Sequence, residues 1–133
     1  MGGGFRGRLK SGEIIFDFGE MPDMVPTLAI LAACRPGKTI IKNVAHLRIK
    51  ESNRLEALVR ELTKTGIKAQ ETEDGLIIDG GRPHGAEIET YNDHRIAMSF
   101  AVLGLYVPGM KIKDPDCVQK SFPGFWEELK KIY

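Results

Sequence analysis

The stretch from Pro22 to Val44, PDMVPTLAILAACRPGKTIIKNV, decides the fold of this chain. Its Ala- and Leu-rich run from Pro22 to Cys34 has the composition of a buried helix, with proline placed near the start where a helix tolerates it. Pro36-Gly37 then turns the chain, and the β-branched run from Thr39 to Val44 reads as a strand. A short strand over Glu13 to Phe16 precedes the helix. A second copy follows 72 positions later without a gap: Pro36 matches Pro108, Gly37 matches Gly109, Leu31 matches Leu103, Ile40 matches Ile112 and Asp23 matches Arg95. There Ala86 to Glu89 is a strand, Asp93 to Tyr106 a helix and Met110 to Lys113 a strand. Spacing held over five positions argues for duplicated supersecondary units.

Each copy runs on into another helix, Lys50 to Thr65 in the first and Pro123 to Ile132 in the second. The first copy continues through Lys68 to Gln70, turns at Asp74-Gly75 and returns as Leu76 to Asp79; Asp-Gly between apolar runs is a hairpin signal. The complete unit is therefore β-α-β-α-β-β, and the fold class is α/β in the broad sense, an α+β arrangement of mixed sheets with helices in a shared core. Residues 1–11 read as a flexible leader, 12–81 as the first unit and 82–133 as a second, incomplete β-α-β-α unit. The second copy lacks the hairpin, so the chain reads as a piece of something larger. An uncovered strand edge or apolar helix face is expected near Ala86–Glu89 and Met110–Lys113, and such edges invite pairing. A neighbouring chain or the Met1–Leu9 leader is the expected cover.

Composition bounds the function. The 133 residues hold one domain with a real core, or two small units sharing one. A hydrophobic content of 42%, a charged content of 28% and a net charge of +1 describe an ordinary globular protein. That balance gives no reason to expect nucleic-acid or membrane partners, so any positive field must be local. No apolar run approaches a membrane span and no signal peptide is present, which fits a cytoplasmic protein. Cys34 and Cys117 have no metal-ligand spacing and fit reduced thiols. His46, His84 and His94 lack the spacing of a zinc site, and neither metal nor cofactor is expected. Gly2-Gly3-Gly4-Phe5-Arg6-Gly7 satisfies a dinucleotide-binding pattern only formally, since no strand precedes it. Arg6 likewise breaks the myristoylation pattern.

The chemistry is signalled by charges placed against local preference. With a helix starting near Lys50, Lys50 and Arg54 share a face, where like charges cost roughly 0.2–0.5 kcal/mol. Both also sit in the first turn, where the helix dipole disfavours cations. A polyanionic ligand would offset both costs, with Glu51 beside it to carry protons; the plain alternative is a solvated charged helix start. The pattern recurs at Tyr91-Asn92-Asp93-His94-Arg95. There Asn92 or Asp93 is the expected N-cap of an apolar helix, and His94 and Arg95 follow at once. Lys120 stands before the last helix. Repeat symmetry places Asp23, Lys50, Glu51, Arg54, His94, Arg95 and Lys120 on one rim, which suits a substrate bearing phosphate and carboxylate groups and a reaction that moves protons. A binding module for phosphorylated ligands, without chemistry, has the same inventory.

Pro22-Asp23, Lys50-Glu51-x-x-Arg54, Thr90-Tyr91-Asn92-Asp93-His94-Arg95-x-Ala97-Met98 and Cys117-x-x-Lys120-x-Phe122-Pro123 resemble the C-terminal part of the 5-enolpyruvylshikimate-3-phosphate synthase family. The match is in order and runs from about Ile14 to the C-terminus. The resemblance implies transfer of the carboxyvinyl group of phosphoenolpyruvate to the 5-hydroxyl of shikimate 3-phosphate, with release of phosphate, in aromatic amino-acid biosynthesis. It also implies two lobes of three β-α-β-α-β-β units each, a monomeric full enzyme, and an active site between the lobes. On that likeness this chain holds one wall and is inactive alone, its partner being the remainder of the same enzyme. The sister enzyme that transfers enolpyruvate to UDP-N-acetylglucosamine shares fold and mechanism, but the K-E-x-x-R and Y-N-D-H-R patterns favour the shikimate enzyme.

Residue by residue, Asp23 resembles the family's acid at the shikimate hydroxyl and Lys50 its partner there. Glu51 resembles the group that exchanges protons at the phosphoenolpyruvate methylene. Arg54 and Arg95 resemble the clamps on phosphoenolpyruvate, with His94 beside them, and Lys120 the lysine near the departing phosphate. His46 stands where the family commonly has an asparagine touching shikimate 3-phosphate.

Overall fold

Alternating burial identifies the central strands. In Gly37–Lys42 (β2), Thr39 and Ile41 are buried between exposed Lys38 and Lys42; in Leu76–Gly80 (β4), Leu76 and Ile78 are buried beside them. The computed structural model describes residues 12–118 together with Gly124, Glu127, Glu128 and Lys131. The expected 1–11 leader, Lys120 and most of the helix expected over Pro123–Ile132 lie outside the described residues.

Four strands form the first sheet, in the order β1-β2-β4-β3, where β1 is Ile14–Asp17 and β3 is Lys68–Glu71. β1 lies parallel to β2, with Ile15 opposite Ile40, and the connection between them carries α1 (Val25–Cys34) behind a 3-10 turn at Pro22–Met24. β4 runs antiparallel to both neighbours, pairing Leu76 with Ile41 and Ile78 with Ala69. The Asp-Gly hairpin closes through Thr72 N–H donating to the Gly75 carbonyl at 2.8 Å. The unit therefore has the order β-α-β-α-β-β read from the sequence, with α2 (Arg54–Lys64) fourth.

Among the described residues the second sheet has two parallel strands, β5 (Glu87–Ile88) and β6 (Lys111–Ile112), joined through α3 (His94–Leu103). Both strands are shorter than their sequence suggested, because a two-stranded parallel pair offers few ladder bonds. Ala86 and Ile88 accept from Lys111 and Lys113, each at 2.9 Å, and the chain leaves the sheet on either side. Gly37 and Gly109, 72 residues apart, both take the left-handed conformation, with φ of 114° and 86°. The repeat thus extends to backbone geometry.

One core serves both units. Ile88, Ile96, Phe100, Leu103 and Val107 join Val25, Ala29, Ile41, Leu58 and Leu62 in a single buried cluster. α1 packs against β4, α3 and α2, which is why it is apolar on most sides. Its close approach to β4 needs Gly80, where a Cβ would lie 2.0 Å from the Ala32 carbonyl oxygen.

The start of α2 corrects one expectation. Residues Ala45–Ile49 form a 3-10 turn, Lys50 is extended, and Asn53 caps the helix by accepting from Glu56 N–H at 3.1 Å. The helix therefore begins at Arg54, not Lys50. Lys50 and Arg54 do not share a helical face, and their mutual repulsion on one is withdrawn. Asp93 is the N-cap of α3, accepting from Arg95 N–H at 3.0 Å. Among the described residues no helix is long and apolar enough to cross a membrane. Nor does any group of three or more His, Cys, Asp or Glu side chains among them suit a metal ion.

Candidate functional site

Arg54 is the centre of the site. It occupies the first position of α2, is 1% exposed, and would be intolerable there without anionic partners. Asp93 meets it from the start of α3, with Nε to Oδ2 at 2.8 Å and Nη2 to Oδ1 at 3.3 Å, a two-point fork that fixes the guanidinium plane. Asp93 is fully buried and also accepts from the Ser52 hydroxyl at 2.8 Å. Burial alone would raise its carboxyl, but the hydrogen bonds from Arg54 and Ser52 and the Arg54 charge outweigh it and hold Asp93 below the usual carboxylate range. Burial likewise works to lower Arg54, and the bond and charge of Asp93, with Glu51 and Asp23 behind it, push the guanidinium up. The pair stays ionised.

The outer edge of Arg54 faces the two carboxylates proposed for chemistry. Nη2 lies 3.0 Å from Glu51 and Nη1 lies 3.3 Å from Asp23, and these acids are 46% and 53% exposed. Glu51 also reaches His94 Nδ1 at 3.5 Å, and Asp23 reaches Arg95 Nη2 at 3.4 Å. Five of the sequence-selected residues, Asp23, Glu51, Arg54, His94 and Arg95, are thus brought into one cluster drawn from both copies of the repeat. Lys50 and His46 are exposed and, among the described residues, take no ion-pair partner. Lys120 lies outside the described residues.

Two consequences follow for chemistry. Asp23 and Glu51 are reachable acids that face fixed cations, as proton carriers beside an anionic substrate must be. Three carboxylates also oppose two guanidiniums here. An incoming anion must therefore displace Asp23 or Glu51 from Arg54 and Arg95, or gain help from cations elsewhere. Beside the cluster, Asp23 and Arg95 open onto a cavity of about 150 Å³ between α1 and α3, walled by Ile30, Leu31, Met98 and Val102.

Sequence reasoning missed Asp93 and Ser52 as members of the cluster, treating Asp93 only as a cap. A usable signal was present: a carboxylate at the start of a helix apolar on most sides must be buried, and a buried charge needs a cation. Burial raises both Cys34 and Cys117 above the ordinary thiol range, which leaves them poor nucleophiles at neutral pH.

The family model for EPSP synthase (3-phosphoshikimate 1-carboxyvinyltransferase) matches residues 7–129. This chain belongs to the EPSP synthase family. A 3-phosphoshikimate 1-carboxyvinyltransferase of Syntrophobacter fumaroxidans is 53% identical over 129 residues, covering 93% of this chain and 30% of that protein. The protein of the same name from Methanocella arvoryzae is 46% identical over 127 residues, covering 95% of this chain and 30% of its own length. The solved EPSP synthase of Acinetobacter baumannii superposes with a TM-score of 0.78 at 41% identity, over 84% of this chain and 27% of that one. The chain thus spans about 30% of the length of these EPSP synthase relatives.

Proposed function

We propose that this chain forms part of one lobe, one wall of the active site, of an enzyme that moves the carboxyvinyl group of phosphoenolpyruvate to the 5-hydroxyl of shikimate 3-phosphate. In this reading residues 12–81 are one β-α-β-α-β-β unit, residues 82–133 are part of a second, and the opposite lobe completes the site. The observation that carries it is the convergence on Arg54. Glu51 bridges Arg54 and His94, and Asp23 bridges Arg54 and Arg95, so two exposed acids and three basic groups meet at one point.

The reaction requires that convergence. The 5-hydroxyl loses a proton as its oxygen bonds to C2 of phosphoenolpyruvate, while C3 gains a proton to become a methyl group. The resulting ketal then expels phosphate as C3 gives a proton back. Asp23 takes the hydroxyl proton, with Lys50 alongside to hold that oxygen. Glu51 delivers and removes the proton at C3. Arg54, already oriented by Asp93, and Arg95 hold the anionic groups of phosphoenolpyruvate, with His94 beside them. Lys120 serves the departing phosphate, and His46 lies on the shikimate 3-phosphate side. The name shared by the relatives favours this substrate pair over a UDP-sugar acceptor and over a module without turnover.

The test is phosphate release from phosphoenolpyruvate by the complete two-lobe enzyme, with shikimate 3-phosphate or UDP-N-acetylglucosamine offered in turn. Release should depend on shikimate 3-phosphate alone, and Glu51→Gln and Asp23→Asn should each lower turnover by about 10²–10⁴-fold with little change in substrate binding. The 133-residue chain alone should show none. Near-normal turnover in Glu51→Gln would refute its proton-transfer role.

A further inference from the structure

Thr90, Tyr91, Asn92 and Asp93 form the turn that delivers the cluster's residues to α3. Tyr91 and Asn92 have φ of 56° and 53°, and Asp93 N–H donates to the Thr90 carbonyl at 2.8 Å. Two successive left-handed residues closed by that bond make a type I′ turn, a conformation that favours glycine, asparagine and aspartate. Asn92 suits it. Tyr91 does not, because its Cβ crowds the backbone there, so something outside the turn must hold it.

That hold comes from α2. Glu61 is fully buried, unusual for a carboxylate, and its Oε2 accepts from the Tyr91 hydroxyl at 2.5 Å. Its other oxygen accepts from Lys64 Nζ at 2.7 Å on the same helix and from Glu89 N–H at 2.9 Å, which ties the carboxylate to the segment that leads into the turn. Burial, reinforced by the Glu61 carboxylate, raises the Tyr91 phenol far above its ordinary range, so it remains a donor at neutral pH. Among the described residues neither Glu61 nor Tyr91 makes a hydrogen bond or ion pair with Asp23, Glu51, Arg54, His94 or Arg95, and neither is given a part in the chemistry proposed above.

We propose that Glu61 is a positioning residue that, through the Tyr91 hydroxyl, pins the left-handed turn ahead of α3 and so sets Asp93, His94 and Arg95 against Arg54, Glu51 and Asp23. Its importance for turnover rests on the function proposed above; its effect on the geometry does not. Without the tether Tyr91 returns to ordinary backbone, the turn opens, and the Asp93 carboxylate leaves the Arg54 fork.

The experiment compares the unaltered 133-residue chain with Tyr91→Phe and Tyr91→Gly, by amide hydrogen exchange and by the Arg54 Nε–H resonance. Tyr91→Phe removes one oxygen and should lower protection of the Asp93 and Arg95 amides by about tenfold or more, the size that loss of a charge-assisted hydrogen bond implies. The Arg54 Nε–H signal should broaden or shift at the same time, while amides of α2 and β4 keep their protection. Tyr91→Gly lacks the hydroxyl too, but glycine adopts the turn without strain, so it should retain most of the protection that Tyr91→Phe loses. Unchanged protection in Tyr91→Phe, a uniform loss across α2 and β4, or equal losses in the two variants would each overturn the proposal. Shikimate 3-phosphate-dependent phosphate release by the complete two-lobe enzyme tests the functional reading separately. Its absence would count against that reading and leave the exchange data to decide the tether.

Discussion

Asp23 and Asp93 stand at the starts of the two helices that the repeat relates, and both touch Arg54, yet their surroundings are opposite. Asp93 is fully buried, caps α3 and accepts from Arg54, Ser52 and the Arg95 backbone. Asp23 is half exposed and caps nothing: α1 starts at Val25 behind Met24, which makes no side-chain cap, and Asp23 meets Arg54 and Arg95 only at 3.3 and 3.4 Å. One guanidinium therefore carries a structural acid on its inner edge and available acids on its outer edge. At the offset of 72 Asp23 corresponds to Arg95 and Asp93 to Met21, so the two acids are not copies of one another: each helix start brought its own acid to Arg54, one buried and one open to solvent.

The sharpest way to break this comparison is to remove the shared cation. Arg54→Ala strands Asp93 in the core, and urea denaturation should show a loss of about 3–5 kcal/mol. A loss below about 1 kcal/mol would mean that Asp93 is solvated rather than dependent on Arg54. Asp93→Asn keeps a cap but loses the charge that satisfies Arg54, and should cost about 1.5–3 kcal/mol.

Acid provides a second measurement of Asp93. A carboxylate held below its ordinary pKa of 3.8 contributes stability that is fully present above that value and is lost as pH falls through the lower folded-state value. Stability of the unaltered chain should therefore drop as pH goes below about 4, and part of that drop should vanish in Asp93→Asn. An identical acid profile in the two chains would place the ionised partner of Arg54 elsewhere. The smallest effect belongs to the exposed acid. Asp23→Asn should change stability by no more than about 0.5 kcal/mol, since half-exposed ion pairs contribute little.

Elements with strong local signals were legible in the sequence. The Asp-Gly hairpin, the Pro-Gly turns and the spacing of 72 gave the strand and helix order of the first unit, because each signal acts within a few residues. The start of α2 was misread because Lys50 to Asn53 is polar in either conformation. What fixes it is the Asn53 cap together with the pull of Asp93 on Arg54, across 39 positions of sequence. For the same reason the repeat could group the five clustered residues on one rim without showing that Arg54 among them is buried. Arg54 reads as a surface clamp until the helix carrying Asp93 is laid beside it, and nothing near Glu61 in sequence indicates Tyr91, 30 positions away.

The cluster is split between the two copies of the repeat: Glu51 and Arg54 lie at the start of α2, and Asp93, His94 and Arg95 at the start of α3, whose flanking sheet has two strands among the described residues. A ligand that bridges Arg54 and Arg95 can bind only molecules in which the start of α3 is docked on the start of α2. Its apparent Kd then exceeds the intrinsic one by the reciprocal of the docked fraction. Whatever else secures docking, whether more polypeptide on the second sheet or a tighter hold on the Tyr91 turn, should strengthen anion binding without touching the anion.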